Sequence, residues 1–328
     1  MGEWSSRRVL VTGGEGFIGS HLIEALLREG AQVRALTHYN PGGKFGWIED
    51  IDGDVEVMLG DVRDGNRVRQ AVEGREVVFH LAALIGIPYS YDAPESYVQT
   101  NVLGTYNVLE AGRREGVERV VHTSTSEVYG TAMRVPIDEA HPLQPQSPYA
   151  ATKVGADMLA ISFHRSFGLP VAITRPFNTY GPRQSSRAVI PALLGQIYSE
   201  DVTEIKMGST TPTRDFNYVE DTASGFLAVA GSDRAIGEVV NVGSGREISI
   251  GGLVELLFDV AGIRKELVTD ESRLRPDASE VQRLLCDNTR AREWAGWEPR
   301  FSLEEGLART AEWVHAHLDS LRPRAYQV

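Results

Sequence analysis

Tyr149 and Lys153 stand four residues apart in Ser147-Pro148-Tyr149-Ala150-Ala151-Thr152-Lys153. A proline at a first helical position predicts a helix that starts near Pro148, and a spacing of four puts both side chains on one face. A phenol ionises near 10, so its pKa must fall by about 3 units, roughly 4 kcal/mol, before it is a competent base at neutrality. A lysine ammonium one turn away pushes in that direction. Tyr-x-x-x-Lys alone is common and says little. A second segment gives it company: Thr123-Ser124-Thr125-Ser126-Glu127-Val128-Tyr129-Gly130 follows an apolar strand-like run. Thr125 can hydrogen-bond a substrate hydroxyl, and Glu127 can serve as a carboxylate base. The plain alternative is a loop rich in serine and threonine that carries a solvated glutamate.

Near the chain start, Val9-Leu10-Val11-Thr12-Gly13-Gly14-Glu15-Gly16-Phe17-Ile18-Gly19-Ser20-His21 runs from strand through glycines into a helix. Both Gly13-x-x-Gly16-x-x-Gly19 and Gly14-x-Gly16-x-x-Gly19 can be read in it. Such a loop lets the backbone approach a pyrophosphate, whose charge is met by amides at the helix N-terminus around Phe17 and Ile18. The ribose position is less regular. An acidic residue about 20 positions further on usually holds the 2′-hydroxyl. The second strand instead ends Ala35-Leu36-Thr37-His38-Tyr39, without a carboxylate. No arginine is there for a 2′-phosphate, although His38 or Lys44 could serve. The reading is NAD, with NADP left open. Asp61, followed by Val62, is placed to accept the adenine amino hydrogen or to cap the next helix. A positive nicotinamide ring would add to the pull of Lys153 on Tyr149.

These residues need a scaffold. Strand-like runs are Val9 to Thr12, Val33 to Leu36, Val55 to Leu59, Val77 to Leu81, Val120 to Thr123 and Val171 to Thr174, with helical spacings between them, such as Phe17, Leu22, Leu26 and Leu27, or Val102, Tyr106 and Leu109. Apolar strands alternating with helices predict an α/β fold, a doubly wound parallel sheet of Rossmann type covered on both faces. After about Pro176 the rhythm changes to loops and helical patterns (Leu253 to Phe258, Leu303 to Val314), with one return to the sheet near Val239 to Val242. The expected organisation is a dinucleotide-binding domain over 1–176 plus about 216–244, and a smaller C-terminal lobe over 177–215 and 245–328. His80 reads as a packed structural residue, and Trp294, Trp297 and Trp313 as core of that lobe.

Composition excludes several classes. A formal net charge of -12 argues against a nucleic-acid binder. One cysteine, Cys286, permits neither an intrachain disulfide nor a thiolate zinc cage, and no metal site is expected. No apolar run approaches the ~20 residues that span a bilayer. The expectation is a cytoplasmic enzyme without membrane partners.

In order along the chain stand Gly13-x-x-Gly16-x-x-Gly19, His80-Leu81-Ala82-Ala83, Asn101-Val102-x-Gly104-Thr105, Tyr149-x-x-x-Lys153, Asn178-Thr179-Tyr180-Gly181-Pro182-Arg183 and Arg214-Asp215-Phe216. The series, from Val9 to about Arg283, resembles the extended short-chain dehydrogenase/reductase family, in its nucleotide-sugar epimerase/dehydratase branch. Ile87-Pro88-Tyr89-Ser90-Tyr91, Thr123 to Thr131 and Leu143 to Tyr149 look most like N-acetylhexosamine nucleotide 4,6-dehydratases of the legionaminic acid type. The resemblance implies that Leu81, Ala82, Ala83 and Asn101 flank the dinucleotide with Tyr149 and Lys153. It implies that Asn178, Arg214 and Arg275 grip the substrate diphosphate, for which arginine's planar fork is suited; Arg183 and Arg187 are further cationic positions in the same loops, and each of these arginines reads equally as half of a surface ion pair.

The implied cycle oxidises carbon 4 of a nucleotide sugar with Tyr149 as base, removes the carbon 5 proton with Glu127, expels water and returns hydride to carbon 6. UDP- or GDP-N-acetylglucosamine is the expected substrate and a 4-keto-6-deoxy sugar nucleotide the product. One departure matters: many hexose 4,6-dehydratases carry Asp-Glu where this chain has Ser126-Glu127. A serine hydroxyl is too weak an acid to protonate a departing hydroxide readily. UDP-glucuronate decarboxylases share Ser-Glu and are the enzymatic alternative, with a 4-epimerase third. A dinucleotide-binding redox sensor is the non-enzyme alternative. The resemblance also implies a homodimer through the helices after Asn101 and from Pro148.

Overall fold

The computed structural model describes residues 2–274 and 276–320. The chain runs β1 (Arg8–Thr12), α1 (Phe17–Arg28), β2 (Gln32–Thr37), β3 (Val55–Leu59), α2 (Gly65–Val72), β4 (Val77–His80), α3 (Ile87–Asp92), α4 (Pro94–Tyr97), α5 (Gly104–Glu115), β5 (Arg119–Thr123), α6 (Pro148–Phe167) and β6 (Val171–Pro176). Then follow β7 (Asn178–Tyr180), α7 (Val189–Tyr198), β8 (Glu204–Met207), β9 (Thr213–Tyr218), α8 (Val219–Gly231), β10 (Val239–Val242), β11 (Glu247–Ser249), α9 (Ile250–Ala261), β12 (Glu266–Thr269), α10 (Thr289–Ala295) and α11 (Leu303–Ala316).

Seven parallel strands form one sheet in the order β10-β6-β5-β4-β1-β2-β3. Every residue of β4, β5 and β6 is buried, which explains their apolar, β-branched centres, Val77–Phe79, Val120–Val121 and Val171–Ile173. The pleat sorts alternate residues to opposite faces. Val9, Val11, Phe79 and Val121 pack with Leu22 and Leu26 of α1 and Phe226 of α8. Leu10, Val78 and Val120 pack with Val68 of α2, Leu109 of α5 and Phe163 of α6 on the other face. Chain order reverses on either side of β1, between β2 and β4, so a crevice opens there at the carboxyl ends of the strands.

A separate core gathers α7, β8, β9, α9 and α11 around Leu194, Ile205, Leu253, Leu257 and Leu307. Trp313 packs on it, as expected, but Trp294 and Trp297 do not. They join Ala172 of β6, Val229 of α8 and Val240 of β10, because α10 lies against the returning β10 and α8. Trp297 Nε1 donates to the Asp221 carbonyl at 3.1 Å and to Ser224 Oγ at 3.0 Å. The stripe read through Val102, Tyr106 and Leu109 is also corrected. A wide helical turn over Val98–Leu103 precedes α5 and rotates its face, burying Thr105, Val108 and Leu109 while Leu103 and Tyr106 stay exposed.

His21, His80 and His122 are all buried. Thr105 Oγ1 donates to the Asn101 carbonyl at 2.6 Å and so accepts from His80 Nε2 at 3.0 Å, while Nδ1 faces Thr12 Oγ1 at 2.8 Å. That pattern belongs to a neutral imidazole. Burial pushes His80 well below its ordinary value, with His122 and Lys153 adding to it. Burial lowers His122 against the pull of Asp157 and takes His21 down to about 4. Groups depressed in the folded state bind fewer protons there, so stability falls as pH drops through the unfolded value of about 6.5. Between about pH 7.5 and about 5.5 His21 contributes a loss of about 1.4 kcal/mol, and His80 and His122 act in the same direction. Asp215 opposes this, because burial raises it to about 6. It takes up its proton in the folded state first, returning about 0.8 kcal/mol. Urea unfolding at the two pH values is expected to show a net loss of stability in acid; stability unchanged or higher in acid would mean these imidazoles are charged when folded.

Candidate active site

The glycine loop sits at the carboxyl end of β1, beside the crevice. Gly13 has φ +71°, and a Cβ on it would meet the Ala82 backbone at 2.9 Å. A Cβ on Gly19 would lie 2.2 Å from the Gly13 carbonyl oxygen and 2.9 Å from Gly14 Cα. Backbone cannot yield there, so the close approach of loop and helix requires glycine at both positions. Helix α1 starts after Gly16 with no side-chain cap and no acidic residue in its first turn. The amides of Phe17, Ile18 and Gly19 therefore form an uncapped positive end. A cradle of this kind fits a pyrophosphate. The side chains of Phe17 and Ile18 pack against the second core.

Around the crevice, Leu81, Ala82 and Ala83 are partly exposed small residues just past β4. Ala82 N–H is tied to Thr12 Oγ1 at 3.2 Å. Thr37 ends β2, and its hydroxyl is buried without a partner. His38 is exposed, with Nδ1 on the Tyr39 carbonyl at 3.0 Å. Asp61 does not cap α2; Asp64 does, accepting from Asn66 N–H and Arg67 N–H. Arg63 grips Asp61 through Nε and Nη2 at 3.0 and 2.5 Å and holds its carboxyl below the usual range. Val62 is buried against Gly104. Asn101, expected beside the dinucleotide, has its amide engaged elsewhere. It accepts from Leu84 N–H at 2.8 Å and donates to the Leu84 carbonyl and to Thr152 Oγ1, which pins the loop after β4 to α6.

Helix α6 starts at Pro148 because Ser147 Oγ accepts from Ala150 N–H at 3.1 Å and proline occupies the first turn. Tyr149 and Lys153 are buried on its one inward face. Lys153 Nζ donates to the Thr123 carbonyl, the last of β5, at 2.5 Å. Burial lowers its pKa to about 8, with Asp157 opposing. Thr125 Oγ1 accepts from Glu127 N–H at 3.2 Å and starts a short turn over Ser126–Tyr129. Thr125 and Glu127 both act on the ionisation of the Tyr149 phenol, so threonine, glutamate and tyrosine converge. Glu127 is partly exposed, and its carboxylate has no hydrogen bond or ion pair among the described residues. Ser126 is buried.

Burial holds the Tyr149 phenol well above its ordinary value; Thr125 opposes that, while Glu127, Tyr97 and Asp157 add to it. Lys153, its ammonium bound to the Thr123 carbonyl, does not offset that. A second positive charge at the site is needed.

The residues expected to hold the diphosphate divide. Asn178, on β7, has a buried Oδ1 without a partner. Arg187 is exposed, and its charge reaches the Tyr97 phenol. Arg214 is buried on β9, donating to the Thr213 carbonyl and to Glu280 Oε1, both at 3.0 Å. Arg183 is an interlobe tie: Nη2 bonds Glu24 of α1 at 2.6 Å. Arg275 lies outside the described residues.

Sequence reasoning missed the group behind Lys153. Asp157, fully buried one turn further along α6, accepts from Ser124 Oγ at 2.8 Å and from Arg175 Nη2 at 2.9 Å. His122 Nε2 stands 3.2 Å from its other oxygen. Arg175 Nη1 donates in turn to the Tyr129 hydroxyl at 3.0 Å. This buried pair fixes the loop that carries Thr125 and Glu127. The continuing spacing of four, Tyr149, Lys153, Asp157, was the available signal.

Known proteins share this arrangement. The family model described as GDP-mannose 4,6 dehydratase matches residues 10–310. A UDP-glucose 4-epimerase of Mycolicibacterium smegmatis is 36% identical over 311 residues, 93% of this chain and 97% of the other. A dTDP-glucose 4,6-dehydratase of Streptomyces antibioticus is 36% identical over 313 residues, covering 93% and 91%. Among solved structures, the dTDP-glucose 4,6-dehydratase DesIV of Streptomyces venezuelae with NAD bound superposes with TM-score 0.86 at 32% identity, covering 97% of this chain and 100% of that one. With its glycine cradle, its Tyr-Lys helix face and this breadth of likeness, the chain belongs to the GDP-mannose 4,6-dehydratase family of nucleotide-sugar dehydratases and epimerases, in the extended short-chain dehydrogenase/reductase class.

Proposed function

We propose that the protein is an NAD-dependent nucleotide-sugar 4,6-dehydratase. The observation that carries this is the Glu127 carboxylate, unpaired and close enough to Tyr149 to act on its phenol. A 4-epimerase needs a base at one hydroxyl only; a dehydratase needs a second base for the proton on carbon 5. Bound NAD supplies the hydride acceptor and the positive charge that favours an ionised phenol. Tyr149 then takes the proton of the 4-hydroxyl, with Thr125 orienting that hydroxyl. Once carbon 4 is a ketone, the carbon 5 proton is acidic, and Glu127 removes it. Ser126 offers no acid, so Glu127 also delivers that proton to the leaving oxygen of carbon 6.

Support for the nucleotide side comes from Asn178, Arg187 and Arg214. The resemblance of the segment from Ile87 to Tyr91 to N-acetylhexosamine enzymes favours UDP- or GDP-N-acetylglucosamine, and Ile87 packs with Tyr97 on Tyr149. A homodimer is supported by apolar side chains left exposed around α5 and α6: Val98, Leu103, Tyr106, Met158 and Phe167. A second reading, UDP-glucuronate decarboxylation, is favoured by Ser126 alone, since loss of carbon dioxide requires no acid for a leaving hydroxide. Mass analysis of products decides among them. UDP- or GDP-N-acetylglucosamine losing one water supports the proposal. Loss of carbon dioxide from UDP-glucuronate supports the second reading, and product of unchanged mass an epimerase.

A further inference from the structure

The acid that β2 lacks is supplied from the glycine loop. Glu15, immediately before Gly16, reaches across to the end of β2, where its Oε1 accepts from His38 N–H at 2.9 Å. Its other oxygen, Oε2, is buried and has no partner. The residue is held from behind. Trp47 N–H donates to the Glu15 carbonyl at 3.2 Å. Gly46, with φ +60°, comes so close that a Cβ there would lie 2.6 Å from that carbonyl oxygen. Glu15 is thus fixed between the loop, β2 and the segment after it, with one carboxylate oxygen uncommitted. The Thr37 hydroxyl is a second buried group without a partner at the same strand end.

We propose that Glu15 is the residue that recognises the adenosine ribose and selects NAD over NADP; this rests on the reading of the glycine loop as a dinucleotide site. The chemistry is direct. A carboxylate oxygen accepts well from a 2′-hydroxyl. A 2′-phosphate at the same place has no proton to give and meets a like charge in a poorly solvated corner. Neighbouring cations do not reverse the balance: Arg63 is committed to Asp61, and the His38 ring stands 3.5 Å from that same carboxylate.

Calorimetric titration of the full chain with NAD and with NADP tests this without turnover, beside Glu15→Gln and Glu15→Ala. Glu15→Gln keeps an acceptor for His38 N–H and removes the charge. The wild type is expected to bind NAD at least 100-fold more tightly than NADP. Both variants, with unfolding midpoints near the wild type, are expected to narrow that ratio at least tenfold, mostly through better NADP binding in Glu15→Gln. An unchanged ratio in folded Glu15→Gln, or a wild type that prefers NADP, overturns the role of Glu15 while leaving the dinucleotide site standing. A wild type that binds neither dinucleotide overturns the underlying reading as well.

Discussion

Tyr149→Phe is expected to fold as the wild type does and to produce no reduced-nicotinamide absorbance when mixed with NAD and a sugar nucleotide that the wild type oxidises. Phenylalanine keeps the packing of Tyr149 against Ile87 and Tyr97 and removes one hydroxyl, while the neighbouring Thr125 keeps its bond from Glu127 N–H. The stability change should stay within about 1 kcal/mol, the net worth of one hydrogen bond. Turnover should fall by about 10³-fold or more, because no other group on that face can take the proton of the 4-hydroxyl. Lys153 cannot replace it, since its ammonium is bound to the Thr123 carbonyl. Absorbance of wild-type size in this variant would remove Tyr149 from the first step.

Glu127→Gln should divide the reaction instead of abolishing it. Oxidation at carbon 4 uses Tyr149, so the reduced-nicotinamide band should appear and persist. The carbon 5 proton then has no base, and water loss should slow by about 10²- to 10⁴-fold. In heavy water the wild type should place deuterium at carbon 5, and the variant none. The substitution is nearly isosteric, and among the described residues Glu127 has no side-chain hydrogen bond or ion pair to lose. A folding defect is therefore not expected. A variant that dehydrates at the wild-type rate would show that another group does this work.

The parts of this site that could be read from the sequence are those set by local rules. The seven strands followed from short β-branched runs, because strands buried on both faces favour apolar, β-branched side chains. Val55 to Leu59 and Val239 to Val242 matched to the residue. Gly13 and Gly19 were legible because their need for glycine arises within a few positions. Tyr149 and Lys153 were legible because a helix repeats every turn. What stayed hidden depends on partners far apart in the chain. Arg183 reads equally as a phosphate contact or as half of an ion pair, and only the fold shows Glu24, 159 positions away, as its partner. Arg214 reads as a free cation until Glu280, 66 positions on, comes beside it. The Asp157–Arg175 pair, and Glu15 reaching His38, are likewise products of the fold. Periodicity also misplaced Tyr106, since the wide turn before α5 changes the helical phase.

The most direct test of the central claim follows one hydrogen. UDP- and GDP-N-acetylglucosamine deuterated at carbon 4 should give products lighter by one water that keep the deuterium, now at carbon 6, because the hydride removed in the first step returns within the same molecule. Products of unchanged mass, with deuterium still on carbon 4, would contradict dehydration and leave this chain an epimerase.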